Sequence, residues 1–368
     1  MIREPAFSLI YQGRDVTSAF ATWPTSISYT DNIDKESDEA TVTVHNADGA
    51  WLGSWAPEAG DKFQLYYGYT NLLVPAGTFT VDETEAHGDS GGDTVNFKGL
   101  SAPKTEELRT DRHKDYEKTS LGAIVKEVAG RHGLSVRGPI DDITFDRITQ
   151  NGQSDLQFLA QLSQDYGHYF TVKGSEILFM SRESVRSQTP VRTINRLTDL
   201  GNTLKSYTLR DADHEAAKKT KVSYLHPRRK KVVGAEKSTS DTELQTASGD
   251  VIKLDIRVED EAQAERIASS RLDAKNSAKL TGTMTLVGDP VLVAGSTVQL
   301  VNFGKYDGKW LIKPSRHSMR RQGYETEITI EKVVPQSKKK SGAKASATST
   351  APKSDTELKT PTGETIWV

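Results

Sequence analysis

No cysteine occurs anywhere in the 368-residue sequence, which excludes disulfide frameworks, thiolate metal sites, Fe–S clusters and cysteine nucleophiles together. Stability must come from packing or from oligomerisation. Long apolar runs are missing too. No stretch approaches the ~20 residues of a membrane-spanning helix, and Met1-Ile2-Arg3-Glu4-Pro5 lacks the apolar core of a signal peptide. The expectation is a soluble chain, made and kept in a cytoplasm, with no stable membrane insertion. An excess of charge is the third absence. Lys+Arg total 48 against 50 Asp+Glu, a net charge of -2, so no global field drives the chain onto DNA or anionic lipid.

The spacings that carry chemistry are also missing. His45, His87, His113, His132, His168, His214, His226 and His317 form no HExxH, HxH or H-x₃-H pair, the patterns that place two imidazoles on one metal. No GxSxG elbow, P-loop or GxGxxG occurs. The sequence therefore nominates no catalytic, cofactor-binding or metal-ligating residue. Acidic pairs such as Glu83 with Glu85, or Asp141 with Asp142, keep a carboxylate-based glycan hydrolase open as an alternative. Such residues are usually solvated surface, and nothing marks a carboxyl in an apolar pocket.

What is present is mostly β pattern. Ala6–Tyr11, Glu39–Val44, Gly60–Tyr67 and Gly77–Asp82 are short, rich in β-branched or aromatic residues, and punctuated by Gly, Asn or Asp. Residues 1–105 read as a first β-barrel. The period then changes. Leu121, Ile124, Val125, Val128 and Ala129 lie on one helix face, with Thr119 or Ser120 as cap. Ser154 with Gln157 predicts a capping box for a second helix, with Leu156, Leu159, Leu162 and Tyr166 as its stripe and Gly167 as its stop. A hairpin around Lys173-Gly174-Ser175 completes a small α/β unit over 106–190. Residues 191–335 read as a second β-barrel interrupted by a helix at 260–276. Residues 336–368 read as a flexible tail, with Gln336–Pro352 too poor in large apolar groups to offset ordering entropy. The fold class is thus α+β, mainly β.

Two segments resemble one another. Ala59-Gly60-Asp61-Lys62-Phe63-Gln64-Leu65, Gly77-Thr78-Phe79-Thr80-Val81 and His87 are echoed by Ala294-Gly295-Ser296-Thr297-Val298-Gln299-Leu300, Gly308-Lys309-Trp310-Leu311-Ile312 and His317. The alternative is chance reuse of A-G turns in a β protein. A genuine repeat means two similar barrels per chain, so a trimer presents six in a ring.

Two features suggest contacts with other molecules. His226-Pro227 leads into Arg228, Arg229, Lys230 and Lys231, a basic run that reads as a polyanion contact or as a solvated loop pairing with an acidic neighbour. Only Tyr224 is near it for base stacking, so a nucleic-acid-binding module is the weaker alternative. Ile366, Trp367 and Val368 at the end of the tail read either as an anchor for another surface or as a frayed terminus.

Three stretches carry a family resemblance: Ser154-Asp155-Leu156-Gln157-Phe158-Leu159 continuing to Gly167, the acid-led helix Asp260–Leu272, and Gly308-Lys309-Trp310-Leu311-Ile312 with His317 and Gly323-Tyr324-Glu325-Thr326. In their order and spacing they resemble the phage late control protein D family, the tail hub of contractile phages. They are also similar to R-type bacteriocin hubs and to the N-terminal part of VgrG spike proteins. The resemblance covers most of 1–334. It implies a structural, non-enzymatic homotrimer that adapts the six-fold tail tube to the three-fold spike. The implied partners are a central spike protein, a tail tube protein or tube initiator, other baseplate proteins and a tape measure protein. The implied location is the baseplate of a virion or tail particle assembled in the bacterial cytoplasm. VgrG chains continue into a needle where this sequence ends, so the expected spike is a separate protein.

Overall fold

Alternating apolar and polar residues become strands throughout the first hundred positions. β1 (Pro5–Tyr11), β2 (Arg14–Asp15), β3 (Ser26–Asn32), β4 (Glu39–His45), β5 (Lys62–Tyr69), β6 (Leu72–Asp89) and β7 (Gly92–Leu100) follow in chain order. On β4, Val42 and Val44 are fully buried while Thr41 and Thr43 stay half-exposed, the signature of a sheet with one wet face. The computed structural model describes residues 4–18, 26–34, 36–102, 106–212, 217–226, 231–239, 251–320, 323–333, 357–359 and 365–367. It comprises one unit over 1–335 and another over 336–368.

The middle of the chain folds as its periodicity predicts. β8 (Asp111–Ser120) leads into α1 (Leu121–Arg131), capped by the Ser120 hydroxyl accepting from the Ala123 N–H. After β9 (Ser135–Arg137) and β10 (Thr144–Ser154) comes α2 (Asp155–Tyr166). Both bonds of its capping box form, and Gly167 ends it at φ 73°. β11 (His168–Lys173) and β12 (Glu176–Ser181) make the expected hairpin. Leu121, Ile124, Val125 and Val128 of α1 and Phe158, Leu159 and Leu162 of α2 share one core.

β13 (Arg192–Asn195) and β14 (Leu204–Asp211) open the last third. β15 (Lys219–His226), β16 (Lys231–Ser238), β17 (Val251–Asp255) and α3 (Glu261–Ser277) come next, then β18 (Leu280–Val287), β19 (Thr297–Val301), β20 (Gly308–Arg320) and β21 (Gly323–Lys332). β15–β17 form their own small sheet. Val222, Val258, Ala264, Ile267 and Ala268 from this stretch pack into the core of α1 and α2. The helix at 260–276 thus exists, with its apolar face turned to the α/β unit. Its period revealed a helix but not which core would receive it.

The duplication is real at the level of hydrogen-bond register. Strand order is β3-β4-β7-β6-β5 in one copy and β14-β18-β21-β20-β19 in the other. Leu65 opposes Gly77 and Phe63 opposes Phe79, just as Leu300 opposes Gly308 and Val298 opposes Trp310. A bulge follows Val81↔Gly99 and again Ile312↔Ile330, and the hairpins close at Asp89↔Gly92 and Arg320↔Gly323. Gly77 and Gly308 have φ of 131° and 127°, where a side chain would be strained. The two histidines of the apparent repeat are not equivalent. Register places His317 opposite Thr326 and His87 opposite Thr94, so the counterpart of His317 is Ala86 and that of His87 is Ser318. One residue along a strand reverses the face. His317 is buried and His87 is exposed.

The two cores match position by position: Val42, Phe63, Leu65, Phe79 and Phe97 in the first, Met284, Val298, Leu300, Trp310 and Ile328 in the second. One exchange balances volume. Gly99 stands where the second copy has Ile330, and a Cβ on Gly99 would meet Phe63 Cε1 at 2.5 Å and Phe79 Cβ at 2.9 Å. The larger Phe63, against Val298, occupies that space.

The two copies are not separate sheets. β20 runs on past β19, and its second half pairs antiparallel with β3, from Pro314↔Asn32 to Met319↔Ile27. Among the described residues the joined sheet has 13 strands. Overpacking is the expected penalty at the volume exchange. Gly99→Ala should destabilise the chain by roughly 1–3 kcal/mol in denaturant titration, and adding Phe63→Val should recover part of the loss. Simply additive losses would contradict a shared space.

Candidate assembly interface

A half-buried lysine joins the parts of the 1–335 unit. The β11–β12 turn rests on the first β region through the Gly174 N–H, which donates to the Ser101 carbonyl at 2.8 Å. This places Lys173 Nζ against Asp31 on β3 and at 3.0 Å from Asp38. Both carboxylates are nearly inaccessible. Asp38 also accepts from the Asn32 N–H at 2.9 Å, and Asp31 from the Ala294 N–H at 2.8 Å. One cation therefore ties the α/β unit to the first β copy, and through Asp31 to the second. Burial pushes the Asp38 carboxyl up to about 6, opposed by Lys173 and assisted by Asp31. Burial works against the charge of Lys173, but the two carboxylates outweigh it and hold its pKa above the usual lysine value.

Beside it, the joint between the copies is aromatic. His317 stacks on Tyr29 at 6.0 Å between ring centroids and lies 4.6 Å from Tyr67. Its Nδ1 pairs with the Tyr324 hydroxyl at 2.7 Å, and its Nε2 with Ser315 Oγ at 3.1 Å. Burial pushes the imidazole down to about 3, so it is neutral. Ser315 with His317 has the look of a nucleophile and base, but both are fully buried and Ser315 donates to the Leu292 carbonyl. The pair serves the joint.

Asp155, the acid of the Ser154-Asp155 motif, heads α2 in full burial. It accepts from Arg131 at 2.8 Å and Gln150 at 2.9 Å, and pairs with His132 at 2.7 Å. Burial alone would raise its pKa. These bonds and the Arg131 charge hold it below the usual carboxylate range. Nothing in the spacing of Arg131, His132 and Gln150 announced this cluster. Among the described residues, no group of three or more His, Asp or Glu is placed to hold a metal ion. None of the helices described is long and apolar enough to cross a membrane.

The residues singled out as contacts fall elsewhere. Arg228, Arg229, Lys230 and Val368 lie outside the described residues, as does Gln336–Pro352. Lys231 opens β16 opposite His226. Ile366 and Trp367 lie on a short strand, Thr365–Trp367, paired antiparallel with Glu357–Lys359.

Sheet edges are the surface that sequence reasoning missed. β5 covers one side of β6 only from Leu72 to Thr80. From Glu83 to Asp89 every residue of β6 is exposed. β14 ends the joined sheet, and among the described residues its strand partner is β18, with one isolated bridge from Leu204 to Leu200.

A family model described as "Phage tail baseplate hub (GPD)" matches residues 104–323. The chain is 26% identical over 365 residues to the "Probable baseplate hub protein" of Escherichia phage 186, covering 89% of this chain and 92% of that one. The 43 kDa tail protein of prophage MuSo2 from Shewanella oneidensis has a similar fold, with TM-score 0.68, 18% identity, and 89% and 98% of the two chains covered. So does an E. coli component of the type VI secretion system, c3393, described as structurally similar to T4 tail proteins gp27 and gp5. It aligns with TM-score 0.53 and 13% identity over 90% of this chain and 77% of that one.

Removing the central cation should leave two buried carboxylates uncompensated. Lys173→Met is expected to cost about 3 kcal/mol or more at pH 8. Asp38 already has a folded pKa above its unfolded one, so its contribution is complete below about pH 4 and lost as pH rises through about 6. Losing Lys173 raises it further, so the deficit should shrink at pH 5. Thermal melts at both values check this, and a deficit independent of pH would contradict it.

Proposed function

The chain belongs to the phage tail baseplate hub family, as a hub protein of the virion tail, and we propose that it works there as a homotrimeric adaptor. Three chains bring six register-matched β units around one axis, so one face meets a six-fold tube and the other a three-fold spike. The observation that carries this reading is the duplication itself, with paired positions, bulges and hairpin closures repeated in both copies. A closed ring of heterologous contacts is how such a chain ends its assembly without open filaments. The partners are a separate spike protein, a tail tube protein or tube initiator, other baseplate proteins, and a tape measure protein within the tube of a contractile tail. Arg228 to Lys231 and Ile366 to Val368 are proposed contacts for these neighbours.

The role is architectural, without catalysis. The polar side chains of Asp155, Lys173 and His317 are engaged in joining elements. Specific lysis in a cell-wall zymogram, abolished by one carboxylate change, would overturn this part.

Native mass spectrometry of the full chain should give three times its 40.5 kDa mass, and class averages should show six similar lobes around the axis. A stable monomer in assembled tails would contradict the adaptor reading.

A further inference from the structure

The β8–β10 ribbon carries a reactive pair of residues at its bulge. Asn151-Gly152 is the one Asn-Gly step in the sequence, and every other asparagine is followed by a residue with a side chain. The ladder pairs Asn151 with His113 and Gln153 with Arg112, so Gly152 is the extra residue, left without a partner. Its φ of 61° suits glycine. Asn151 and His113 are both exposed. His113 Nδ1 lies 3.0 Å from Asn151 Oδ1. A carboxamide oxygen only accepts, so that ring nitrogen carries the proton and donates. A Cβ on Gly152 would lie 3.5 Å from His113 Cε1, so the ring also stands against the glycine.

We infer that Asn151 is a self-modification site, at which the folded chain converts its own side-chain amide to a carboxylate. Hydroxide takes the proton from the Gly152 backbone nitrogen. That nitrogen attacks Asn151 Cγ, forming a C–N bond and placing negative charge on Oδ1. The His113 N–H, already aimed at Oδ1, polarises the carbonyl and holds the oxyanion. The intermediate collapses as the Cγ–Nδ2 bond breaks, water supplies a proton, and ammonia leaves. Water then opens the cyclic imide at either carbonyl, giving aspartate or isoaspartate at position 151. The net change consumes a water and releases an ammonia, with no oxidant or cofactor. Glycine matters because a side chain at 152 would crowd the attacking nitrogen. The bulge matters because it frees that N–H from the ladder.

Isoaspartate adds a methylene to the main chain inside a short buried bridge. Gln150 Nε2 donates both to the Gln153 carbonyl and to Asp155 Oδ1, each at 2.9 Å. Lengthening the chain between Gln150 and Gln153 loosens that bridge, and with it the Asp155 cluster at the head of α2. A virion protein is not replaced once assembled, so the change accumulates with the age of the particle. The site lies within one chain and does not depend on the trimer reading.

The test follows full-length protein in mildly alkaline buffer by peptide mapping and by enzymatic methylation of isoaspartate. Position 151 should convert first, ahead of the exposed Asn71 and Asn202. His113→Phe should slow conversion several-fold in the folded chain and leave it unchanged in chain unfolded by urea. Earlier conversion at Asn71 or Asn202, or an Asn151 that persists in the folded chain, overturns the site. Equal rates with and without His113 in the folded chain overturn the part given to the ring. Hydrogen exchange over 150–155 should be faster in the isoaspartate fraction than in fresh protein, and an unchanged rate overturns the loosening.

Discussion

A β-strand edge is a row of unsatisfied donors and acceptors, and the rest of this structure follows from how one such row is filled. β20 is 13 residues long and outruns β19, so its second half needs another partner. β3 supplies it across most of the chain length. That pairing makes two copies of a meander into one sheet. It also puts Tyr29, Tyr67, His317 and Tyr324 into a shared core at the joint. The neutral imidazole fits there because it is held by hydroxyls and not by charge.

The α/β unit is attached by a different means. Its hairpin turn delivers one lysine to two carboxylates that would otherwise be costly to bury. The geometry makes the attachment specific, since Asp31 also caps the Ala294 amide of the second copy. The insertion between β14 and β18 extends the same unit, where β3 and β4 are joined by a short turn. The insertion thus falls between the first two strands of the second copy, at the position the short β3–β4 turn occupies in the first.

Local features were the legible ones. The capping box at Ser154 and Gln157, the Gly167 stop and the Lys173-Gly174-Ser175 turn depend on residues a few positions apart, and each forms as written. The repeat was visible because turns and core positions recur along strands, and register sharpened it by separating His87 from His317. The family pattern of a baseplate hub was legible for the same reason, in motifs at helix starts and strand turns. Long-range choices were not legible. Nothing in the Pro314–Met319 sequence names β3 as its partner, and the period of α3 could not say which core would take it. The Asp155 cluster brings together residues whose spacing has no recognised pattern.

The central claim is that register-matched repeats alternate around a ring, the two of each chain being joined by β20 with β3. A cryo-EM map of the assembled baseplate, averaged with three-fold symmetry only, tests it most directly. The account predicts six sheet units of the same strand order around the axis, with a continuous ladder joining the two units of each chain. A hub with other than three chains, or with units that differ in strand order, would contradict it.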